Sequence, residues 1–163
     1  MKVIIHDLDA EFVERLQSKC DYLIFADGKY AGCQGCFRCW TKHPAECYMQ
    51  DKLKQISRIV GKADELIIIT KNCFGTYSPN VKAILDRSIG LSTPLSTYRN
   101  KEMHHTLRYG MHNEFKVTAY GNFLQNEKDS FELMVQRNAL NYGYNKSQVL
   151  FTDSPERIME ILG

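Results

Sequence analysis

Four of the chain's six cysteines lie close together and could do chemistry as a group. They follow the spacing C-x2-C-x2-C-x7-C, at Cys33, Cys36, Cys39 and Cys47. Thiolates three positions apart can converge on one centre, and this compact spacing suits a [4Fe-4S] cluster. Four thiolates also satisfy a tetrahedral zinc ion, although paired C-x2-C motifs are the more usual zinc spacing. The four cysteines are therefore candidate metal ligands, and zinc or a loop of bare, reduced thiols remain as alternatives.

A second segment that could do chemistry covers residues 71–87 and reads KNCFGTYSPNVKAILDR. Gly75 allows the backbone to approach a flat ligand, and the rings of Phe74 and Tyr77 can pack against the rim or face of such a ligand. The plainer interpretation is that Gly75 and Ser78-Pro79 only turn the chain into the next helix, with proline in its first turn.

The elements that must position these segments alternate between short apolar runs and helical stretches. Strands are predicted at Lys2–His6, Tyr22–Ala26, Glu65–Thr70, Phe115–Tyr120 and Gln148–Phe151. Helices are predicted from Asp9, over Gln50–Gly61, Pro79–Ile89 and Asp129–Tyr142, and after Ser154. This alternation predicts a parallel sheet with helices on both faces. We therefore expect one α/β domain over residues 1–163, with the three-layer flavodoxin-like fold and the strand order 2-1-3-4-5.

Composition limits the classes of function. Of the 163 residues, 44% are hydrophobic and 25% are charged, and the formal net charge is +2. Since this charge is small and mixed along the chain, nothing indicates nucleic acid as a partner. No apolar run approaches the length of a membrane helix, and the first residues do not resemble a signal peptide. We expect a cytoplasmic protein without a membrane partner.

One long stretch, Gly90–Asn113, shows no clear period and contains Tyr98 and three of the five histidines. Long segments of this kind are often lids or partner surfaces. An ordinary surface excursion is the alternative.

The joined motifs resemble those of the NADPH-dependent FMN reductase-like branch of the flavodoxin-like proteins. The loop after the third strand has that branch's pattern at Phe74-Gly75, Ser78-Pro79, Val81-Lys82 and Leu85-Asp86-Arg87. The segment Gly35–Pro44 is similar as well, and the cysteine spacing resembles that of iron–sulfur flavoproteins. Together with the strand pattern, the resemblance covers nearly the whole chain.

This resemblance implies an FMN-dependent oxidoreductase in which NAD(P)H gives a hydride to flavin, and flavin then reduces a small acceptor such as a quinone or free flavin. It implies flavin contacts at Asn72, Cys73, Phe74, Gly75, Thr76, Tyr77 and Ser78. A second flavin wall is expected at Gly121 and Asn122, where an ordinary Gly-Asn turn is the alternative. No catalytic acid or base is identified.

The resemblance also implies an assembly and an electron-transfer partner for flavin. Relatives form dimers, so we expect a homodimer with Trp40 and the stretch Gly90–Asn113 at the contact. In the iron–sulfur relatives, the cysteine cluster would exchange electrons with the flavin.

The first loop departs from the family pattern. In the family, hydroxyl groups and a helix N-terminus after the first strand hold the FMN phosphate, whereas this loop reads HDLDAE over residues 6–11. Its acidic residues would repel a phosphate. Three outcomes remain open: weak FMN binding, phosphate donors from another subunit, or loss of flavin. Loss of flavin would leave a binding or regulatory module, and an iron–sulfur electron-transfer protein is a further alternative.

Overall fold

The most apolar run of the sequence forms the middle strand of a five-stranded sheet. In this computed structural model, which describes residues 1–99 and 101–161, the strands are β1 Lys2–His6, β2 Tyr22–Phe25, β3 Glu65–Lys71, β4 Ser92–Arg99, β5 Glu102–Leu107, β6 His112–Tyr120 and β7 Tyr144–Thr152. The α-helices are α1 Val13–Gln17, α2 Ile56–Gly61, α3 Pro79–Arg87, α4 Gln125–Tyr142 and α5 Glu156–Ile161. Short 3-10 turns at Ala10–Phe12 and Ile89–Leu91 precede α1 and follow α3.

The sheet is parallel, with the order β2-β1-β3-β6-β7. These are the five strands that the sequence predicts, so the flavodoxin-like order 2-1-3-4-5 is confirmed. In the register, Ile4 lies opposite Leu23 on one side and Ile67 on the other. β-Branched residues fill the centre because both faces of this part of the sheet are covered.

Two apolar cores lie on opposite faces of the sheet. The larger core packs α2, α3 and α4 against one face, and its most buried side chains include Ile5, Ile68, Ile84, Phe115 and Phe131. The smaller core packs the first turns, α1 and α5 against the other face, around Ile4, Leu8, Leu16, Ile67 and Ile158. The chain therefore has the three layers that the alternating pattern predicts.

The second face is only partly covered by helix, because α1 has five residues. Near the amino ends of the strands on this face, the Nζ atom of Lys116 lies 3.1 Å from Glu65 and 3.0 Å from Glu114. The Nζ atom of Lys2 lies 3.7 Å from Glu65. These carboxylates raise the pKa of Lys116. The aliphatic stems of such side chains cover apolar sheet while their charged ends stay in water.

The stretch without a clear period is largely an antiparallel hairpin of β4 and β5, which pairs Tyr98 with Met103 and Thr97 with His104. Asn100 lies outside the described residues. One face of the hairpin meets α4: His104 Nδ1 lies 3.0 Å from Asn141 Oδ1, and Arg137 pairs with Glu102. Because the face that meets α4 is polar, the hairpin lacks the apolar alternation that normally marks a strand.

Several boundaries differ from those predicted. α4 begins at Gln125 rather than Asp129, and α2 begins at Ile56 because turns occupy residues 51–55. β6 and β7 begin three and four residues earlier than predicted, at His112 and Tyr144. Among the helices of the described ranges, none is long and apolar enough to cross a membrane.

Candidate functional site

A cleft of about 430 Å³ opens at the carboxyl ends of β1, β2 and β3. In an open parallel sheet of this order, that edge is the place where ligands bind. The cleft is lined by Asp7, Leu8, Asp9, Phe25, Ala26, Asp27, Lys71, Ser78, Pro79, Asn80 and Tyr120. Sequence reasoning missed Phe25, Asp27 and Asn80, although the end of β2 could have been assigned to this edge from the topology alone.

A tight turn follows β3 at the same edge. The backbone N–H groups of Cys73 and Thr76 donate to each other's carbonyl oxygens, at 3.0 and 3.2 Å. Phe74 and Gly75 occupy the two central positions with φ of +54° and +77°, the left-handed pair of a type I′ turn. The Phe74 ring is 92% exposed at the tip. The turn therefore presents a large apolar ring to solvent beside the cleft.

Packing as well as φ favours glycine at position 75. A Cβ atom there would lie 3.2 Å from the Cα and the carbonyl oxygen of Glu127, in the first turn of α4. Gly75 thus brings the turn against α4. Close approach to a ligand is not needed to explain this glycine.

The side chain of Asn72 joins the turn after β3 to Gly121-Asn122, the two segments predicted to contact flavin. Its Nδ2 donates to the carbonyl oxygen of Asn122 at 2.7 Å and to Glu127 Oε2 at 3.2 Å, and its Oδ1 accepts from the Gly75 N–H at 3.0 Å. Glu127 also accepts from the N–H of Leu124 at 3.0 Å. Glu127 was not predicted, but a Glu three residues into a helix is a recognised start signal.

The remaining predicted contacts divide between different surfaces. Ser78 lines the cleft and caps α3 by accepting from the Val81 N–H at 3.4 Å. Tyr77 is 3% exposed and lies edge-on to Phe131, and burial raises the pKa of its phenol. Thr76 contacts the sulfur of Met134 on α4. In the structure, Thr76 and Tyr77 thus line a groove between α3 and α4 rather than the cleft.

The first loop places carboxylates where the sheet edge has its hydrogen-bond donors. Asp7 Oδ2 and Oδ1 accept from the Lys71 N–H at 3.0 and 3.1 Å, and Oδ2 also lies 3.4 Å from the Thr70 hydroxyl. Asp9 is exposed and makes no side-chain cap to the 3-10 turn that follows it. Asp27, on the opposite wall, pairs with Lys52.

These residues do not fit the phosphate of FMN. The described lining of the cleft has three carboxylates and one ammonium group, that of Lys71. Asp7 already occupies the donors of Thr70 and Lys71. The helix after the loop is too short to supply a strong helix dipole.

The uncharged parts of a flavin fit the cleft better than its phosphate does. Phe25 and Tyr120 supply aromatic wall, and Leu8 and Pro79 supply further apolar surface. Burial, followed by the charge of Asp7, raises the pKa of Tyr120, so its phenol stays protonated. The aromatic and apolar part of the cleft lining therefore suits a flat, uncharged ring.

None of the four clustered cysteines is among the described residues that line the cleft. Cys33 and Cys36 are exposed, Cys47 is half-buried, and Cys39 is buried, which raises the pKa of its thiol. Within residues 1–99 and 101–161, no group of three or more His, Cys, Asp or Glu side chains is placed to hold a metal ion. The structure thus gives the predicted [4Fe-4S] cluster no support.

Solved structures share the fold. An FMN-dependent NADH-azoreductase from Bacillus anthracis str. Ames Ancestor, in complex with FMN, matches with a TM-score of 0.57 and 10% identity, over 99% of this chain and 92% of that chain. The NAD(P)H:quinone oxidoreductase from Methanothermobacter marburgensis matches with a TM-score of 0.57 and 14% identity, over 99% and 93%. An apo NADH:FMN oxidoreductase (EMOB) matches with a TM-score of 0.53 and 13% identity, over 99% and 83%. At these identities the likeness shows the fold alone.

Sequence comparison gives the family. No curated protein matches the chain. The family model described as NADPH-dependent FMN reductase matches residues 7–107, which is more than half of the chain and includes both the first loop and the turn after β3. This chain therefore belongs to the NADPH-dependent FMN reductase family.

Proposed function

We propose that this protein is a flavin-dependent oxidoreductase that takes electrons from NADPH or NADH and passes them to a small acceptor such as a quinone or free flavin. Family membership over residues 7–107 supports a flavin reductase. The fold relatives include an NADH-azoreductase, an NAD(P)H:quinone oxidoreductase and an NADH:FMN oxidoreductase, which all use nicotinamide donors.

The observation that carries this proposal is the turn after β3, which the hydrogen bonds of Asn72 hold in place beside the 430 Å³ cleft. A volume of this size lies within the range of small-molecule sites. A bound flavin supplies the redox chemistry, while the protein positions the ring and tunes it. Here Asn72 fixes the turn against Asn122 and α4, and Ser78 and Tyr120 form the adjoining cleft wall.

Anaerobic titration tests the proposal. We expect riboflavin or FMN fluorescence to change on addition of protein, and the protein–flavin mixture to oxidise NADPH or NADH when a quinone is present. Flavin without protein is the control for direct chemical reduction. A protein that leaves the fluorescence of both flavins unchanged would contradict the proposal.

A second candidate is a flavodoxin-like binding or regulatory module that has lost flavin. The observation that favours it is the acidic first loop, whose Asp7 carboxylate occupies edge donors. The titration separates the two functions, because this module would bind neither riboflavin nor FMN.

We also propose a homodimer that uses the outer face of the β4–β5 hairpin. Tyr98 and Met103 are 73% and 64% exposed and lie opposite each other on that face. His105, two residues further on the same face, packs against Trp40 with ring centroids 4.6 Å apart. Trp40 is itself fastened by a hydrogen bond from Nε1 to the Ile89 carbonyl oxygen. The ring of His105 thus links the hairpin to Trp40, so the two elements predicted at the contact adjoin each other.

A further inference from the structure

The charged end of the cleft disfavours ligands that carry a phosphate. Asp7 and Asp9 come from the first loop and Asp27 comes from the end of β2, so carboxylates line both walls of the cleft. Lys52 pairs with Asp27, and Lys71 is the one lysine in the described lining beside the carboxylates of Asp7 and Asp9. A dianionic phosphate placed here meets more negative than positive charge, and the repulsion weakens its binding.

The backbone donors at this edge do not offset that repulsion. The Lys71 N–H, at the carboxyl end of β3, donates to both carboxylate oxygens of Asp7. The Thr70 hydroxyl accepts from the Ser78 N–H at 2.9 Å and lies within reach of Asp7. The chain's own carboxylate therefore occupies the position in which an anionic ligand would find donors.

Carboxylates are acceptors, so they favour a ligand end that carries donors. The hydroxyl groups of a ribityl chain are uncharged and donate hydrogen bonds, whereas a phosphate dianion accepts them. Phe25 and Tyr120 provide aromatic surface in the same cleft for the flat part of the ligand. The arrangement is thus complementary to a flavin that ends in a hydroxyl.

We propose that the flavin site of this protein takes dephosphorylated flavin, of which riboflavin is the probe, and discriminates against FMN through the carboxylates of Asp7 and Asp9. The inference rests on the proposed flavin function. It deepens that function by naming the flavin class as an exchangeable ligand without a phosphate anchor.

Equilibrium titration with both flavins tests the inference. We expect riboflavin to bind at least about tenfold more tightly than FMN at low ionic strength. Raising the salt concentration screens charges over a shorter distance. The dissociation constant of FMN should therefore fall with salt, while that of riboflavin stays nearly constant.

A pair of variants assigns the effect to the cleft. Asp9→Asn removes a cleft carboxylate that makes no cap hydrogen bond, so folding should be preserved. Glu11→Gln removes the same charge from an exposed residue two positions away that does not line the cleft, and it is the matched control. Asp9→Asn should reduce the ratio of the two dissociation constants severalfold, and Glu11→Gln should leave it nearly unchanged.

The possible failures are distinguishable. If FMN binds more tightly than riboflavin, the inference is wrong and the flavin function stands. If the two variants change the ratio equally, the discrimination does not arise in the cleft and the inference is again wrong. If neither flavin binds, both the inference and the proposed function are wrong.

Discussion

At the scale of single residues, a largely buried ion pair joins the loop that carries the cysteines to α3. The Arg87 side chain is fully buried, and its two terminal nitrogens each lie 2.8 Å from an oxygen of Asp51. Asp51 also accepts from the N–H groups of Ala31 and Leu53, both at 3.0 Å. Asp86, the sequence neighbour of Arg87, pairs instead with Lys82 on the surface of α3. One carboxylate thus closes the loop between β2 and α2.

This ion pair makes stability depend on acid. The hydrogen bonds from Arg87 lower the pKa of Asp51 from 3.8 to about 2. A lowered pKa in the folded state contributes stability above the unfolded pKa, and this stability is lost as pH falls through the folded pKa. We expect a loss of about 2 kcal/mol between pH 5 and pH 2 from this group. Urea unfolding at a series of pH values measures it.

Asp51→Asn provides the control for that acid dependence. The variant keeps the shape of the side chain but removes its titration, so its stability should change less between pH 5 and pH 2 than that of the wild type. If the two pH profiles run parallel, Asp51 is not the group responsible.

Replacing Arg87 should lower the unfolding free energy by more than the change from pH 5 to pH 2 does. Arg87→Met leaves the Asp51 carboxylate without its charged partner, and loss of one member of a buried ion pair typically costs about 3–5 kcal/mol. Urea unfolding at neutral pH measures this cost. The double variant Asp51→Asn/Arg87→Met should lose less unfolding free energy than the two single variants lose together, because both changes remove the same interaction. Strict additivity would show that the pair is not coupled.

At the scale of elements, the sequence predicts the strands that are short apolar runs, and it misses features that tertiary contacts determine. The five parallel strands were predictable because each is a short apolar run, as at Ile67–Ile69 in β3. The β4–β5 hairpin was not, because its inner face uses His104 and Glu102 to meet α4. The position of the turn after β3 was predictable from Gly75 and Ser78-Pro79. The burial of Tyr77 under α4 was not, because loop side-chain directions are set by tertiary contacts.

The side-chain hydrogen bonds of Asn72 form a clasp between the turn after β3 and α4, and we expect this clasp to control flavin binding. Asn72→Ala removes the hydrogen bonds to Asn122, Glu127 and Gly75, so the turn loses its attachment to α4. We predict that riboflavin affinity falls about tenfold, while the unfolding free energy falls by about 1–3 kcal/mol. Fluorescence titration and urea unfolding measure the two effects.

Asn126→Ala is the matched control for the clasp, since Asn126 is an exposed residue in the first turn of α4. It should leave flavin affinity unchanged. If Asn72→Ala lowers stability but binds riboflavin as the wild type does, the clasp holds the fold and does not position the flavin.

At the scale of the whole molecule, the features that the family pattern fixes and those in which this chain departs lie at one edge. The turn after β3 matches the family, and the first loop places Asp7 and Asp9 beside it. Topology alone placed both segments at the carboxyl edge of the sheet. The sequence analysis missed the third carboxylate of the cleft, that of Asp27 just beyond β2, although the topology places the end of β2 at the same edge.

Assembly is the last property that belongs to the whole molecule. If the outer face of the hairpin forms the dimer contact, a charge at its centre should separate the protomers, because an ion left without a partner in a buried interface is costly. We predict that Tyr98→Glu shifts the protein from dimer to monomer in sedimentation equilibrium. Tyr22→Glu is the matched control, since Tyr22 is 47% exposed in the edge strand β2 of the main sheet. A wild-type protein that sediments as a monomer, or a Tyr98→Glu variant that remains a dimer, would show that this face is not the contact.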